Sequence, residues 1–430
     1  MQSPVNVQIE SVLLTVIVQL VVIIAAARLF GVIFRKMGQP QVCGEIAAGL
    51  ILGPSLLGGM FPEWFGRIFD PAVSGTFSVL SQLGLVLLMF LIGLEFDFGH
   101  LDENRRTAVS VSIAGIALPF ALGFGLGRFL HGQLGLQVAW IHFALFMAAA
   151  MSITAIPILG RIMIELGINR TRIGSLTISA AAIDDAAGWI ILALVTTSVR
   201  SAFDPVKLTV MIGAVLVFAL VMMMAVRPAL IGWGRRVLAK NEDLSMNALA
   251  GLLILVLVSA AVTNLIGIFS IFGAFFLGAI LYDQQELREA VKRRLSDFVT
   301  VFFLPIFFTY TGLRTDIGTM SGAGMWGYCG LVLLAAVVGK FGGCTLAARV
   351  NGLGWREASM IGVMMNTRAL MELIVVNIGY DLGIIPKNVF FMLVFMAVFT
   401  TYITAPLLRR LVRRSEVEGQ YMQSVFARSR

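Results

Sequence analysis

The sequence predicts an all-α, polytopic membrane protein of about thirteen transmembrane helices, and three observations carry that prediction. First, the 430 residues are 58% hydrophobic and only 13% charged, with a mean hydropathy of +0.92, where an ordinary soluble chain carries about 25% charged residues. Second, apolar stretches of about 20 residues recur along the whole length, each long enough to cross a hydrocarbon core of roughly 30 Å as a helix. Third, spanning strands would alternate apolar and polar positions in segments of about ten, and that pattern is absent.

In chain order the helices are expected at 10–34, 40–58, 77–95, 107–129, 138–163, 176–198, 207–226, 245–265, 268–283, 295–313, 324–349, 357–380 and 388–410. The first is expected to stay in the mature chain: "MQSPVNVQIE" before it lacks a basic residue, and "RLFGVIFRKMG" after it shows no small-residue cleavage signal. The segment 138–163 is interrupted at "MSITAIPILG", and 176–198 carries two adjacent acids in "AAAIDDAAGW". The segment 324–349 carries a lysine in "AAVVGKFGG", and 357–380 is interrupted at "MMNTRALME".

The connections sort by charge. Those on one side, including "RRTA", "GINRTRIG", "GWGRRVLAKNED" and "REAVKRRLS" with the C-terminal tail, hold 23 of the 32 Lys and Arg, and the opposite side holds 6. The remaining three are Arg28, Lys340 and Arg368. The basic side faces the cytoplasm, so the C-terminus is expected inside and, with an odd helix count, the N-terminus outside. The same asymmetry accounts for the formal net charge of +8. Basic residues at helix ends face anionic lipid, so nucleic acid is not an expected partner.

Cys43, Cys329 and Cys344 are irregularly spaced in or beside apolar segments, which suggests neither a disulfide framework nor a metal site. With no Pro- or Ser-rich linker, residues 1–414 read as one membrane domain and 415–430 as a short cytoplasmic tail.

An ionisable group near the centre of a membrane helix costs about 2.5 to 3.5 kcal/mol on insertion scales, so each one is a candidate for function. Those that qualify are Asp184, Asp185, Lys340, Arg368 and Glu372. Successive helical residues are rotated by about 100°, so the two aspartates cannot face one partner. Lys340 is the counter-charge expected for one of them, and the other is expected to face a cavity. In general a carboxylate held free in a low-dielectric site has its pKa raised, and a neighbouring carboxylate raises it further. Such a group can trade a proton for a metal cation. Arg368 and Glu372, spaced i and i+4, share a helix face and read as a structural ion pair.

The two interruptions form a pair. Pro157 removes a backbone donor and clashes with the preceding turn, and Ser152 and Thr154 beside it carry hydroxyls able to cap the freed groups. Asn366 and Thr367 interrupt 357–380 at a comparable depth. These two segments are seven helices apart, as are 107–129 and 324–349, and an odd offset reverses orientation in the membrane. Matched interruptions in two inverted halves point to a secondary transporter with its site at the midplane. Helix-end dipoles at such breaks help position ions.

From these residues the chain resembles the monovalent cation:proton antiporter superfamily, in the branch with bacterial sodium/proton antiporters, Kef-type potassium/proton systems and plant cation/proton exchangers. The likeness runs from "GQPQVCGEIAAGLILGPSLLG" and "LGLVLLMFLIGLEFD" through "SITAIPILGRI", "IDDAAGW", "GIFSIFGAFFLGAIL" and "LPIFFTYTGLRTDI" to "NTRALMELIVVNIGYDLGII". Order and spacing together make it specific. The resemblance implies an inverted-repeat antiporter fold with two broken crossing helices, here 138–163 and 357–380. A mobile core of about 107–198 and 324–410 would work against a dimerisation domain, in a homodimer in a bacterial inner membrane. It implies that Asp185 binds a monovalent cation (Na+, K+ or Li+) or a proton in alternation, that Asp184 pairs with Lys340, and that Thr154 and its neighbours, Ser152 among them, line the site.

Movement of the core would expose Asp185 to each side in turn. The ion gradients supply the free energy, so no cofactor is expected, and no phosphate-binding GxxxxGK[ST] motif occurs. Kef-type relatives usually read Gln-Asp where this chain reads Asp184-Asp185. Plant and Kef-type relatives usually read Gly where Ala369 stands. The acid pair leans towards sodium or lithium, and the other motifs lean towards potassium.

Three rival readings are weaker. An intramembrane aspartyl protease needs acids in YD and GxGD contexts on two helices; "LYD" at Asp283 and "GYD" at Asp381 fall at helix ends, and no GxGD occurs. An acid-lined cation channel has no need of Lys340 or the matched breaks. A sensor that has lost transport would keep the same fold. His100, His131 and His142 lie near helix ends or in loops and are expected to be solvated or interfacial.

Overall fold

A computed structural model describes residues 4–70, 74–95, 105–154, 156–165, 168, 171–200, 205–238 and 244–412. The helices are α1 (Pro4–Lys36), α2 (Gln41–Leu52), α3 (Leu57–Met60), α4 (Pro62–Ile68), α5 (Ser74–Glu95), α6 (Arg105–Leu134), α7 (Trp140–Ser152), α8 (Ile156–Glu165), α9 (Arg172–Arg200) and α10 (Pro205–Val221). They continue as α11 (Arg227–Leu238), α12 (Met246–Ile266), α13 (Ser270–Ala279), α14 (Gln285–Phe298), α15 (Leu304–Leu313), α16 (Ala323–Val337), α17 (Gly343–Val350), α18 (Trp355–Met365), α19 (Ala369–Asp381) and α20 (Lys387–Val412). Single π-turns at Met222–Val226, Val299–Phe303 and Val338–Gly342 join α10 to α11, α14 to α15 and α16 to α17. There is no strand among the described residues.

Eleven of the described helical spans are long and apolar enough to cross a membrane. Each of the thirteen expected segments falls on helical backbone, but two are not full-length spans. The segment expected at 138–163 is α7, of 13 residues, followed by a break and α8. The segment expected at 268–283 is α13, of 10 residues, which ends in turns from Ile280.

The chain forms two compact units. The first holds Met1–Ala26, Pro62–Phe98 and Thr196–Tyr310. In it α12 is capped at both ends: Ser245 Oγ accepts from Ala248 N at 3.3 Å, and Gly267, at φ 105°, closes the helix in the left-handed conformation. Ser259 Oγ on α12 donates to Gly273 O at 2.7 Å, which fastens α12 to α13. Gly93 and Gly278 bring α5 and α13 together; a Cβ on either would run into the other helix's backbone, at Phe275 or Phe90. Arg227 pairs with Asp283 at 2.7 Å, so the acid of "LYD" has a counter-charge.

The second unit holds Ala27–Phe61, Gly99–Val195 and Thr311–Arg430. Its most buried span is Trp355–Asp381, whose apolar window is 94% buried, whereas Thr209–Val237 in the first unit is 6% buried. A helix so enclosed holds its polar groups away from both lipid and water, so those groups must find partners inside the protein. Arg314 pairs with Asp381, donates to Asn377 Oδ1 at 3.0 Å and lies over the Tyr380 ring, which accounts for the acid of "GYD".

Candidate functional site: two broken helices and a buried ion pair

The interrupted helices of the second unit are hydrogen-bonded to each other at their breaks. Helix α7 stops at Ser152, Ile153 is extended at φ −82°, ψ 147°, and α8 starts at Ile156. Pro157 is the second residue of α8, where a helix needs no N–H, so the break precedes the proline instead of sitting on it. Helix α18 stops at Met365, Asn366 continues at φ −82°, ψ 5°, and α19 starts after Arg368 at φ −112°, ψ −71°.

A helix end leaves its last carbonyls without partners, and its dipole makes them an attractive seat for cations. Here each break supplies a donor to the other, and the π-turn Val338–Gly342 supplies a further one to the first. Arg368 Nη1 donates to Met151 O at 2.7 Å, and Lys340 Nζ donates to Ser152 O. In return Thr154 Oγ1, a hydroxyl with one hydrogen to share, reaches Met365 O at 3.2 Å and Asp184 Oδ2.

Lys340 Nζ lies 2.7 Å from Asp184 Oδ2, and neither side chain is exposed. Two charges taken out of water this far persist only with good geometry and further hydrogen bonds. Asp184 Oδ2 receives both Lys340 and Thr154, and Lys340 also reaches a helix-end carbonyl. The lysine sits in the π-turn Val338–Gly342, a form of backbone that often marks functional positions. Gly339 lets that turn lie directly on α6, because a Cβ there would be 2.8 Å from Pro119 Cα.

Arg368 and Glu372 form a second fully buried pair at 3.0 Å. The guanidinium does more than hold the carboxylate: Nη1 also takes Met151 O, and Nη2 takes Ala336 O at 3.3 Å. Arg368 thus bridges α7, α16 and α19. Around the second break, α20 supplies threonines: Thr367 Oγ1 donates to Thr404 Oγ1 at 3.3 Å, and Arg368 N donates to Thr401 Oγ1 at 3.4 Å.

Asp184 Oδ1, Glu372 Oε1 and Asn366 Oδ1 are buried and accept no hydrogen bond among the described residues. A buried acceptor left open is suited to a proton, a water or a hard cation. No group of three or more His, Cys, Asp or Glu that could hold a metal ion occurs among the described residues.

The structure therefore brings together Thr154, Asp184, Lys340, Arg368, Glu372 and the backbone of Ser152. It departs from expectation at Ser152, which acts through its carbonyl while its hydroxyl turns back to Ala149 O at 2.9 Å. Asp185 follows Asp184 in α9, but its side chain, like that of Pro157, lies outside the described residues. His100 also lies outside them; His131 Nε2 is 2.7 Å from Val138 O, and His142 stands in the first turn of α7. The three cysteines are buried and unbridged.

Sequence reasoning missed the carbonyls of Met151, Ala336 and Met365, which as backbone groups leave no signature. It also missed Glu45, 3% exposed within α2 and bonded to Gln41 at 2.8 Å, and the threonine row of α20. Both had a signal: an acid in an apolar run, and Thr400, Thr401 and Thr404 at helical spacing.

A family model for the transmembrane sodium/hydrogen exchanger matches residues 20–414. The Na(+)/H(+) antiporter NhaS4 of Synechocystis sp. is 39% identical over 402 residues, 93% of this chain and 97% of its own length. Cation/H(+) antiporter 18 of Arabidopsis thaliana is 36% identical over 410 residues, 94% of this chain but 50% of the plant protein, so this chain spans about half the plant relative's length. Among solved structures, the sodium proton antiporter MjNhaP1 from Methanocaldococcus jannaschii has the same fold, with a TM-score of 0.61 at 15% identity over 96% of this chain and 99% of that one.

Proposed function

Because this chain belongs to the sodium/hydrogen exchanger family, we propose that it is a secondary antiporter, exchanging sodium, potassium or lithium for protons by alternating access. The observation that carries the reading is the pair of broken helices, closed on each other around a buried Lys340–Asp184 pair. In this reading Asp185 takes a cation or a proton in turn. Asp184 stays charged against Lys340, and Thr154 with the open oxygens of the breaks completes the site.

Exchange is enforced by desolvation. A bare Asp185 carboxylate costs too much to carry through a dry barrier, so only the loaded core crosses. The core would comprise about 107–198 and 324–410, moving in elevator fashion against the remaining helices of a homodimer. The lipid environment would be a bacterial inner membrane, with the N-terminus outside and the C-terminus cytoplasmic. The ion gradients drive the cycle without a cofactor.

The test is reconstitution into liposomes holding a pH dye, with sodium, potassium and lithium chloride applied with and without a valinomycin-clamped potential. An antiporter gives an internal pH change that follows the cation gradient and identifies the preferred ion. A channel gives cation flux without that coupling. A folded protein for which no salt drives a pH change would sink the reading.

A further inference from the structure

Within the buried Arg368–Glu372 pair one donor and one acceptor are left over. Arg368 Nη1 donates to Glu372 Oε2 at 3.0 Å and to Met151 O at 2.7 Å, and Nη2 donates to Ala336 O at 3.3 Å. Arg368 Nε and Glu372 Oε1 have no hydrogen-bond partner among the described residues, although neither side chain is exposed. A guanidinium and a carboxylate commonly meet fork to fork, through two parallel N–H···O bonds. Here they meet through one, because the same Nη1 is also committed to the end of α7.

The unused atoms define a second position for the guanidinium. Turned so that Nε and one Nη face Oε1 and Oε2, it joins the leftover donor to the leftover acceptor and lets go of Met151 O. A buried polar group without a partner carries a desolvation cost. The first position leaves Nε and Oε1 open, the second leaves Met151 O open, and a charge arriving at Met151 O decides between them. That carbonyl lies in the last turn of α7, where the helix dipole favours a cation. Its neighbour Ser152 O already receives Lys340. Arg368 is thus a tethered cation in the place that a free one would take.

We propose that Met151 O is a ligand of the carried monovalent cation and that Arg368 is the positioning residue that uncovers it. The guanidinium closes fork to fork on Glu372 as the cation arrives and returns to Met151 O as the cation leaves. In both states Met151 O faces one positive charge, so neither leaves the carbonyl bare. The role in exchange rests on the antiporter reading, to which it adds a backbone ligand beside Asp185 and Thr154; the binding itself does not.

Met151–Ser152 and Met320–Ser321 are the two Met-Ser pairs of the chain. The full chain in lipid bilayers, labelled with carbonyl-13C methionine and 15N serine, therefore shows these two carbonyls selectively by solid-state NMR, and Met320→Leu assigns them. Sodium, potassium and lithium chloride are titrated in turn, with choline chloride as the blank. At least one of the three cations should move the Met151 signal to a plateau and leave Met320 in place. Glu372→Gln withholds the second position and should raise the cation concentration at half-shift roughly tenfold, the worth of one charge-assisted hydrogen bond. Arg368→Gln combined with Glu372→Gln removes the tethered cation without stranding a buried charge, and should return that concentration to the wild-type value or below. A purely structural pair would weaken binding alike in both. A Met151 signal that no cation moves in the wild type overturns the inference, whether or not Glu372→Gln folds, and so does a double variant that binds as weakly as Glu372→Gln. In liposomes the half-maximal cation concentration for exchange should follow the same order. Absence of any exchange in the wild type overturns the antiporter reading, and the NMR titration still decides the ligand.

Discussion

Lys340 Nζ stands 2.7 Å from Asp184 Oδ2 with both side chains fully buried, and the same ammonium reaches Ser152 O at the end of α7. One cation therefore ties α9, the π-turn and the first broken helix together. Removing one partner of a buried pair costs about 3 to 5 kcal/mol, while replacing both by neutral groups costs far less, because no charge is left stranded.

Lys340→Met and Asp184→Asn should accordingly each lower the thermal midpoint of the purified protein. The double variant should lie closer to wild type than the two losses added together. Strict additivity in thermal unfolding would show that the two side chains do not act on each other.

Thr154→Val keeps the shape of the side chain but removes the one hydroxyl hydrogen that Asp184 Oδ2 and Met365 O share. A buried acceptor left open costs about 1 to 3 kcal/mol. The cation concentration for half-maximal exchange should rise, and Thr154→Ser should restore it. An unchanged concentration dependence in the valine variant would remove Thr154 from the site.

Arg368→Lys keeps the charge and loses the fork that reaches Met151 O, Ala336 O and Glu372 at once. A lysine is a point charge and does not reproduce that geometry. The variant should unfold at a lower temperature and exchange more slowly, and Glu372→Gln, which strands the guanidinium, should be destabilised as well. A lysine variant as stable and as fast as wild type would reduce Arg368 to a simple counter-charge.

Asp381 pairs with Arg314 where the two side chains are 35% and 18% exposed, a setting worth less than about 1 kcal/mol. Asp381→Asn, and likewise Asp283→Asn beside Arg227, should leave exchange intact in liposomes. Loss of exchange in either folded variant would show that its acid takes part in transport and is more than a partner for its arginine.

Much of this site is legible in the residues, because a charge or a helix breaker inside an apolar run is costly enough to stand out. Lys340, Asp184, Arg368 and the two breaks carry that kind of signal. The backbone does not. That the chain opens before Pro157 and not at it, that Ser152 offers its carbonyl and not its hydroxyl, and that α16 meets α17 through a π-turn follow from how three-dimensional neighbours satisfy helix ends. Arg368 shows the difference within one residue: its i+4 spacing to Glu372 is local and readable, whereas its bonds to Met151 O and Ala336 O join segments far apart in the chain.

The most direct test concerns the neighbour of the paired acid. Asp185→Asn, reconstituted beside wild type and Asp381→Asn in liposomes with an internal pH dye, is expected to abolish cation-driven pH change while the protein stays folded and Asp381→Asn keeps it. Cation-driven exchange that persists in folded Asp185→Asn would contradict the assignment of Asp185 as the residue that trades cation for proton.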